Sequence, residues 1–320
     1  MLFRPNIRQK YVWSSFTMII LFLSLLFLST ELYKEQDFSQ IFLDRKGSLV
    51  EVEERSLDPK KYEVRLRSSN GLTVEGFIKI PDSSTLSAPA VIVFNGLETG
   101  AWVVDMIGGV REVEETVIMA MNYPYKGEVS LEGARLLSAL LQFRQAIFDT
   151  VVSGLLMVDY LTQRREVDPE RITMVGISFG SPFAVVVSAL DPRIQGVAIH
   201  YGGGDLEKLL FHNIQSGSWI SRKLLSSLGA LILAPIEPLK YIDRIAPRPL
   251  FMINGEQDER IPQESAWALF QKAHFPKEIV WLESDHVYPS KTELIQELTR
   301  RTAQWMKKNH LLKVSPEQIR

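Results

Sequence analysis

The sequence predicts an α/β fold: a mostly parallel sheet with helices on both faces, preceded by an N-terminal transmembrane helix. Three observations carry that expectation. Six short runs apolar on both faces alternate with helical stripes, a hairpin stands in front of them, and an uncharged stretch of twenty residues lies near the N-terminus. With 46% apolar residues in a chain of 320, one large core can be filled, so disorder and fibrous architectures are excluded.

The first element is the uncharged stretch at residues 11–30, whose heart runs from Met18 to Leu28. At about 1.5 Å per helical residue it reaches roughly 30 Å, one hydrocarbon core. Only Ser14, Ser15, Thr17 and Ser24 interrupt its interior, so it lacks the polar face of a helix on a soluble core. Arg4, Arg8 and Lys10 precede it, whereas Glu31, Glu35 and Asp37 follow beside Lys34. The positive-inside rule then keeps residues 1–10 cytoplasmic and sends the rest across. Phe27-Leu-Ser-Thr-Glu31 offers no A-x-A cleavage pattern, which favours an uncleaved signal anchor over a removed signal. The chain has no cysteine, so lipoprotein processing is excluded. The expected location is a bacterial inner membrane with the main domain on the periplasmic side; an endoplasmic reticulum anchor is the alternative.

Residues 31–60 are polar, with acids at Glu51, Glu53 and Glu54, and read as a stalk. The main domain is expected over residues 61–312. Residues 62–67 alternate, Asn70-Gly71 marks a tight turn, and residues 72–80 resume alternation, which makes a hairpin. The apolar runs follow at residues 90–94, 116–120, 172–175, 196–199, 249–253 and 278–282. Between them Ile147, Val151, Leu155 and Val158 form one helical stripe, and Leu294, Leu298 and Trp305 another, with a shorter helix at residues 265–273. Residues 205–245 break this alternation with an insertion containing Trp219, Leu224, Leu225, Leu228 and Leu231, expected to cover the sheet edge or a pocket mouth.

Several chemistries are excluded. Lys plus Arg number 36 against 38 Asp plus Glu, and a net charge of -2 gives no basic field for nucleic acid. Without cysteine there is no disulfide framework, thiolate nucleophile, iron–sulfur cluster or cysteine-bound zinc. No H-E-x-x-H and no helical histidine pair occurs, and Gly202-Gly-Gly204 lacks the Lys-Ser/Thr of a phosphate loop. No metal and no cofactor are implied.

The sharpest positive signal is Gly176-Ile177-Ser178-Phe179-Gly180, directly after one apolar run and before the helical stretch 184–190. A serine forced into a tight strand-to-helix turn needs glycine on either side, and its hydroxyl is presented at a helix N-terminus that favours an anion. A hydroxyl is a poor nucleophile unless an imidazole takes its proton and an acid holds the imidazole. Of five histidines, His310 and His274 read as surface residues, His212 falls in the insertion, and His200 ends a strand as a core or rim residue. His286 follows the last strand and precedes the final helix, so its loop opens at the same strand ends as Ser178. For the acid, Asp258 lies three residues past Gly255 in the loop after residues 249–253, with Glu256 in reserve.

The order Ser178, Asp258, His286 in these contexts resembles the α/β-hydrolase superfamily, and more narrowly its dienelactone-hydrolase and prolyl-oligopeptidase-like branch. The stretches 171–180, 243–250 and 254–258 carry the resemblance, which covers about residues 61–310 and implies an eight-stranded sheet. It further implies an oxyanion hole from the backbone N–H groups of Phe179 and, in the loop 95–100, of Leu97. Gly96 would let that loop pass close to the attacked carbonyl, and Asn95 stands where relatives often have histidine. Two departures stand out: Asp285 occupies a position where relatives have a small residue, and the nucleophile is serine where dienelactone hydrolase itself uses cysteine. Tyr123, after the next strand, is expected to line the pocket, and Glu98 is placed to grip a substrate amine.

The implied activity is ester hydrolysis through an acyl-enzyme, acting on a small-molecule ester. A serine peptidase of the same fold, acting on a short peptide, uses the same machinery. A catalytically idle binding protein is the third reading. About 60 residues before the core leave no room for the propeller that screens substrates in prolyl-oligopeptidase relatives.

Overall fold

The structure, a computed structural model, describes residues 28–81, 87–96, 100–125 and 133–312. Its strands are β1 (Leu49–Asp58), β2 (Lys61–Ser68), β3 (Thr73–Lys79), β4 (Ala88–Phe94), β5 (Val117–Met121), β6 (Val167–Ile177), β7 (Ile194–His200), β8 (Leu250–Gly255) and β9 (Lys277–Leu282). They form one sheet in the order β1-β2-β3-β5-β4-β6-β7-β8-β9. From β5 to β9 every neighbouring pair is parallel, whereas β1, β2 and β3 pair antiparallel with their neighbours.

Every residue of β4 and β5 is buried because the sheet feeds a core on each side. Ala90, Ile92 and Phe94 pack into one, and Val91 and Val93 into the other. The helices are α1 (Ser39–Lys46), α2 (Val103–Gly108), α3 (Gly133–Thr162), α4 (Ser181–Leu190), α5 (Leu206–Asn213), α6 (Trp219–Leu233), α7 (Gln263–Lys272) and α8 (Thr292–Lys308). The first core takes α1, α3, α4 and α7; the second takes α2 and α8, with Trp305 stacked on Phe251 at 5.5 Å between ring centres. The stripe Ile147, Val151, Leu155, Val158 is the buried face of α3.

Two expectations change. The sheet has nine strands because β1 lies within residues 31–60, the stretch read as a stalk, which instead joins the domain. Phe38 and Phe42 are buried against Phe148 of α3, with ring centres 6.1 and 5.2 Å away. The acids of β1 look like solvated stalk in sequence but are cross-strand partners. Glu51 pairs with Arg67, Glu53 with Arg65 at 3.7 Å, and Arg55 with Glu63 at 2.6 Å, while Glu54 accepts from the Tyr160 hydroxyl at 2.8 Å. Such a charged edge strand has no apolar period to read. Of the expected membrane segment, residues 11–27 lie outside the described residues, and residues 28–30 belong to a helix that runs to 35.

Residues 205–245 form α5, α6 and short 3-10 turns. Glu237 fixes the start of α5, accepting from the backbone N–H groups of Leu206 at 2.7 Å and Asp205 at 3.0 Å. Burial raises the pKa of this carboxyl. Because β4, β6, β8 and β9 run parallel, the loops after them open at one edge of the sheet, beneath these two helices.

Candidate active site

Ser178 sits at φ +51 between β6 and α4, in the 3-10 turn Ser178–Gly180. A left-handed backbone is uncommon for a residue with a side chain and costs on the order of 1 kcal/mol. Two close approaches explain the flanking glycines. A Cβ at Gly176 would lie 2.6 Å from the Ala184 Cβ, and one at Gly180 would lie 2.2 Å from the Phe94 carbonyl oxygen.

The three residues expected to act together come together. The Ser178 Oγ is 2.8 Å from the His286 Nε2, and the His286 Nδ1 is 2.9 and 3.0 Å from the two carboxylate oxygens of Asp258. With Nδ1–H donating to the carboxylate, Nε2 is left as the acceptor facing the serine hydroxyl. Both side chains are shielded, His286 at 3% and Asp258 at 1% exposure, so water competes little for these bonds. The backbone N–H groups of Arg260 and Ile261 donate to the Asp258 Oδ1 at 2.8 and 2.9 Å, which fixes the orientation of the carboxylate toward His286. Glu256, the reserve acid, is exposed. Asp285 is also exposed and pairs with Lys291, whose Nζ donates to the His286 carbonyl at 2.7 Å.

Glu259 is a brace that the sequence did not reveal. Its carboxylate accepts the His286 backbone N–H at 3.1 Å and the Tyr288 hydroxyl at 2.6 Å. Burial raises its pKa, but these hydrogen bonds outweigh burial and bring it down to about 2. Removing the brace frees the histidine loop, so Glu259→Ala is expected to lower kcat/KM on an activated ester roughly ten- to hundred-fold. Glu259→Gln, which keeps an acceptor, should recover part of it, as steady-state kinetics with thermal unfolding as control would read.

Of the other histidines, only His200 lines the same cavity as Ser178. His274 and His310 are exposed. His212, at the end of α5, reaches the Glu259 carbonyl at 3.0 Å through its Nε2, and Asn213 donates to the Arg260 carbonyl at 2.8 Å. The insertion is thereby clamped to the loop that carries Asp258. His200 is buried, with Nε2 2.8 Å from the Thr302 hydroxyl oxygen and no partner for Nδ1 among the described residues. Burial pushes its pKa down to about 4. The unfolded chain binds this proton near the ordinary value of 6.5, so stability present above pH 6.5 is lost as pH falls toward about 4. Urea titrations should show a loss on the order of 3 kcal/mol across that window. His200→Gln should flatten the slope.

Of the two residues expected to form an oxyanion hole, Phe179 follows Ser178 in the first helical turn, where helices leave backbone N–H groups unpaired by the helix itself. Leu97 and Glu98 lie outside the described residues. Asn95 is 2% exposed, and its side-chain amide donates to the Gly100 carbonyl. A Cβ at Gly96 would meet nothing within 4 Å.

Tyr123 differs from expectation. Its hydroxyl donates to the Asn95 carbonyl at 2.5 Å, and its ring packs edge-on against Phe179 at 5.4 Å. It lines a separate cavity of about 260 Å³ rather than the one at Ser178, and burial pushes its phenol pKa up. Tyr123 therefore supports Asn95 and Phe179 from behind.

Ser178 and His286 open into a cavity of about 540 Å³. Leu206, Leu209 and Leu210 of α5, Ile232 and Leu233 of α6, and Phe143 of α3 form its apolar walls.

Among solved structures, an acetyl xylan esterase from Paenibacillus sp. R4 is similar at TM-score 0.65 and 17% identity, over 84% of this chain and 94% of that one. Acetyl xylan esterase 1 from Thermoanaerobacterium sp. JW/SL YS485 gives TM-score 0.59 and 18% identity, over 82% and 92%. These likenesses show the α/β-hydrolase fold. A curated relative, the uncharacterized protein YfhR of Salmonella typhi, is 25% identical over 133 residues, 41% of this chain. That match spans only 45% of the relative's length. The model of the dienelactone hydrolase family matches residues 74–308, and the chain belongs to that family.

Proposed function

We propose that this chain is a membrane-anchored serine hydrolase that cleaves carboxylic esters through an acyl-enzyme. The observation that carries the reading is the hydrogen-bonded chain Ser178–His286–Asp258 at the floor of an apolar cavity. Ser178 Oγ adds to the ester carbonyl while His286 Nε2 takes its proton, and Asp258 stabilises the resulting imidazolium. The Phe179 and Leu97 N–H groups receive the oxyanion, each worth roughly 3 kcal/mol in the transition state. Collapse expels the alcohol with the proton from His286; water then adds to the acyl-enzyme by the reverse route, releasing the acid and regenerating the hydroxyl.

Family membership supports hydrolase chemistry, and the acetyl esterases of similar fold support an ester bond. The apolar walls favour an ester with an apolar group over a sugar. Residues 11–30 serve as the anchor, with residues 1–10 cytoplasmic and the domain outside the cytoplasm, on the strength of Arg4, Arg8 and Lys10 before the apolar run.

The test is fluorophosphonate labelling of the full-length chain in detergent, beside Ser178→Ala. Labelling of the wild type alone is expected; equal labelling, or none in either, rejects the hydrolase reading. Matched ester and amide panels should then favour the esters, and faster amide cleavage would replace the esterase with a peptidase.

A further inference from the structure

The outer face of α6 has no counterpart in the chemistry above. Ile220, Leu224, Leu225 and Leu228 are 73%, 59%, 53% and 50% exposed, and Trp219 at the start of the helix is 67% exposed. Residues Trp219–Ile236 are apolar and long enough to cross a membrane by composition, but α6 cannot do so in this fold. Ser226 and Ala230 are buried against the domain, and Gly229, Ile232 and Leu233 line the cavity. The helix therefore presents one side to the substrate space and an apolar side outward, the pattern of a helix lying flat in a bilayer interface.

The N-terminal chain says what covers that outer side. The helix at residues 28–35 is tied beside α5 and α6: Lys34 bonds Glu207 at 2.9 Å, and Glu207 in turn accepts from Lys223 at 2.5 Å and Ser227 at 2.7 Å. The same helix is held to α3 by the bond from Arg144 to the Tyr33 hydroxyl, 2.7 Å. It exposes Leu28 and Leu32, and the uncharged residues 11–27 continue directly from it. The described chain begins at residue 28 beside α6, so a bilayer that holds residues 11–27 would lie within reach of the helix. On α3, Leu141 is 60% exposed and its neighbour Leu140 lines the cavity.

We infer that the outer face of α6 docks on the lipid bilayer and that the ester substrate enters the cavity from the bilayer, between α6 and α3. The docking rests on the reading of residues 11–30 as a membrane anchor, and the delivery on the hydrolase reading; the two are tested separately. A lipid-borne ester would pass from acyl chains to apolar cavity walls without crossing water, which avoids the hydration of its apolar group.

The chain has no cysteine, so single labels can be placed at will. Spin labels at Leu224→Cys and Leu228→Cys, and at Gln296→Cys on α8 as a control, are read in full-length protein in nanodiscs of phosphatidylglycerol and phosphatidylcholine. Docking requires labels at 224 and 228 to be relaxed by oxygen and protected from a water-soluble nickel chelate, with the control reversed. Nickel access equal to the control overturns docking. Shielding from both reagents also overturns it, since a cover of residues 11–27 or of a second copy would give that result.

The delivery is read with Ile220→Gln/Leu224→Gln. Turnover of a soluble short-chain nitrophenyl ester should stay within twofold, and that of a long-chain ester embedded in vesicles should fall at least tenfold. Equal effects on both substrates overturn the delivery. If the wild-type protein cleaves neither ester, the hydrolase reading and delivery both fail, and the labels still decide the docking.

Discussion

Ser178→Ala is expected to lower turnover of an activated ester by about 10⁴-fold or more while leaving the unfolding transition in place. Only the Oγ is lost, and with it the bond to His286 Nε2 at 2.8 Å; the β6 and α4 packing on either side is untouched. Alanine at φ +51 keeps the same crowded Cβ, so the backbone strain persists. Ser178→Gly removes that Cβ and should unfold later, by on the order of 1 kcal/mol, while remaining as inactive as alanine. Strain stored at the nucleophile would then be measured directly, by urea unfolding of the two variants side by side. Equal stabilities would mean that the turn is not strained by its side chain.

Gly180→Ala is expected to be the most damaging single-methyl change in the domain, destabilising by about 3 kcal/mol or more. Gly180 has φ -74, so its backbone conformation is open to any residue and the requirement is purely one of space. The new Cβ would stand 2.2 Å and 2.4 Å from the carbonyl oxygen and carbon of Phe94, and 2.9 Å from the Asn95 nitrogen. All three are backbone atoms at the end of β4, with no flexible side chain to give way. Either the start of α4 moves or the end of β4 at Phe94 and Asn95 does, so activity should fall even in the fraction that folds. Gly96→Ala, whose Cβ would meet nothing within 4 Å, is the matching control and should cost little stability.

These two positions also show why part of the molecule was legible in sequence. A serine that must turn between a buried strand and a helix imposes glycine at fixed spacing, and buried parallel strands impose apolar runs because both faces are covered. Both constraints are local, so the residues that satisfy them sit next to each other in the chain. Chain order supplied His286 and Asp258, since parallel strands deliver their following loops to one edge. The parts that were missed depend on partners far away in sequence. The acids Glu51 and Glu53 of β1 have their meaning only opposite Arg67 and Arg65, as Arg55 has opposite Glu63, and Glu259 becomes a brace only when Tyr288 and the His286 backbone arrive beside it. Tyr123 followed a strand, as a pocket residue would, but the fold turned its hydroxyl to Asn95.

The charged rim formed by β1 reaches beyond its own ion pairs. A sheet ends wherever its last strand refuses another, and here a docking strand from a second molecule would have to strip water from the ion-paired carboxylates of β1 and the guanidinium of Arg55. At high local concentration, where copies meet edge to edge, that refusal keeps neighbouring molecules from zipping into a shared sheet.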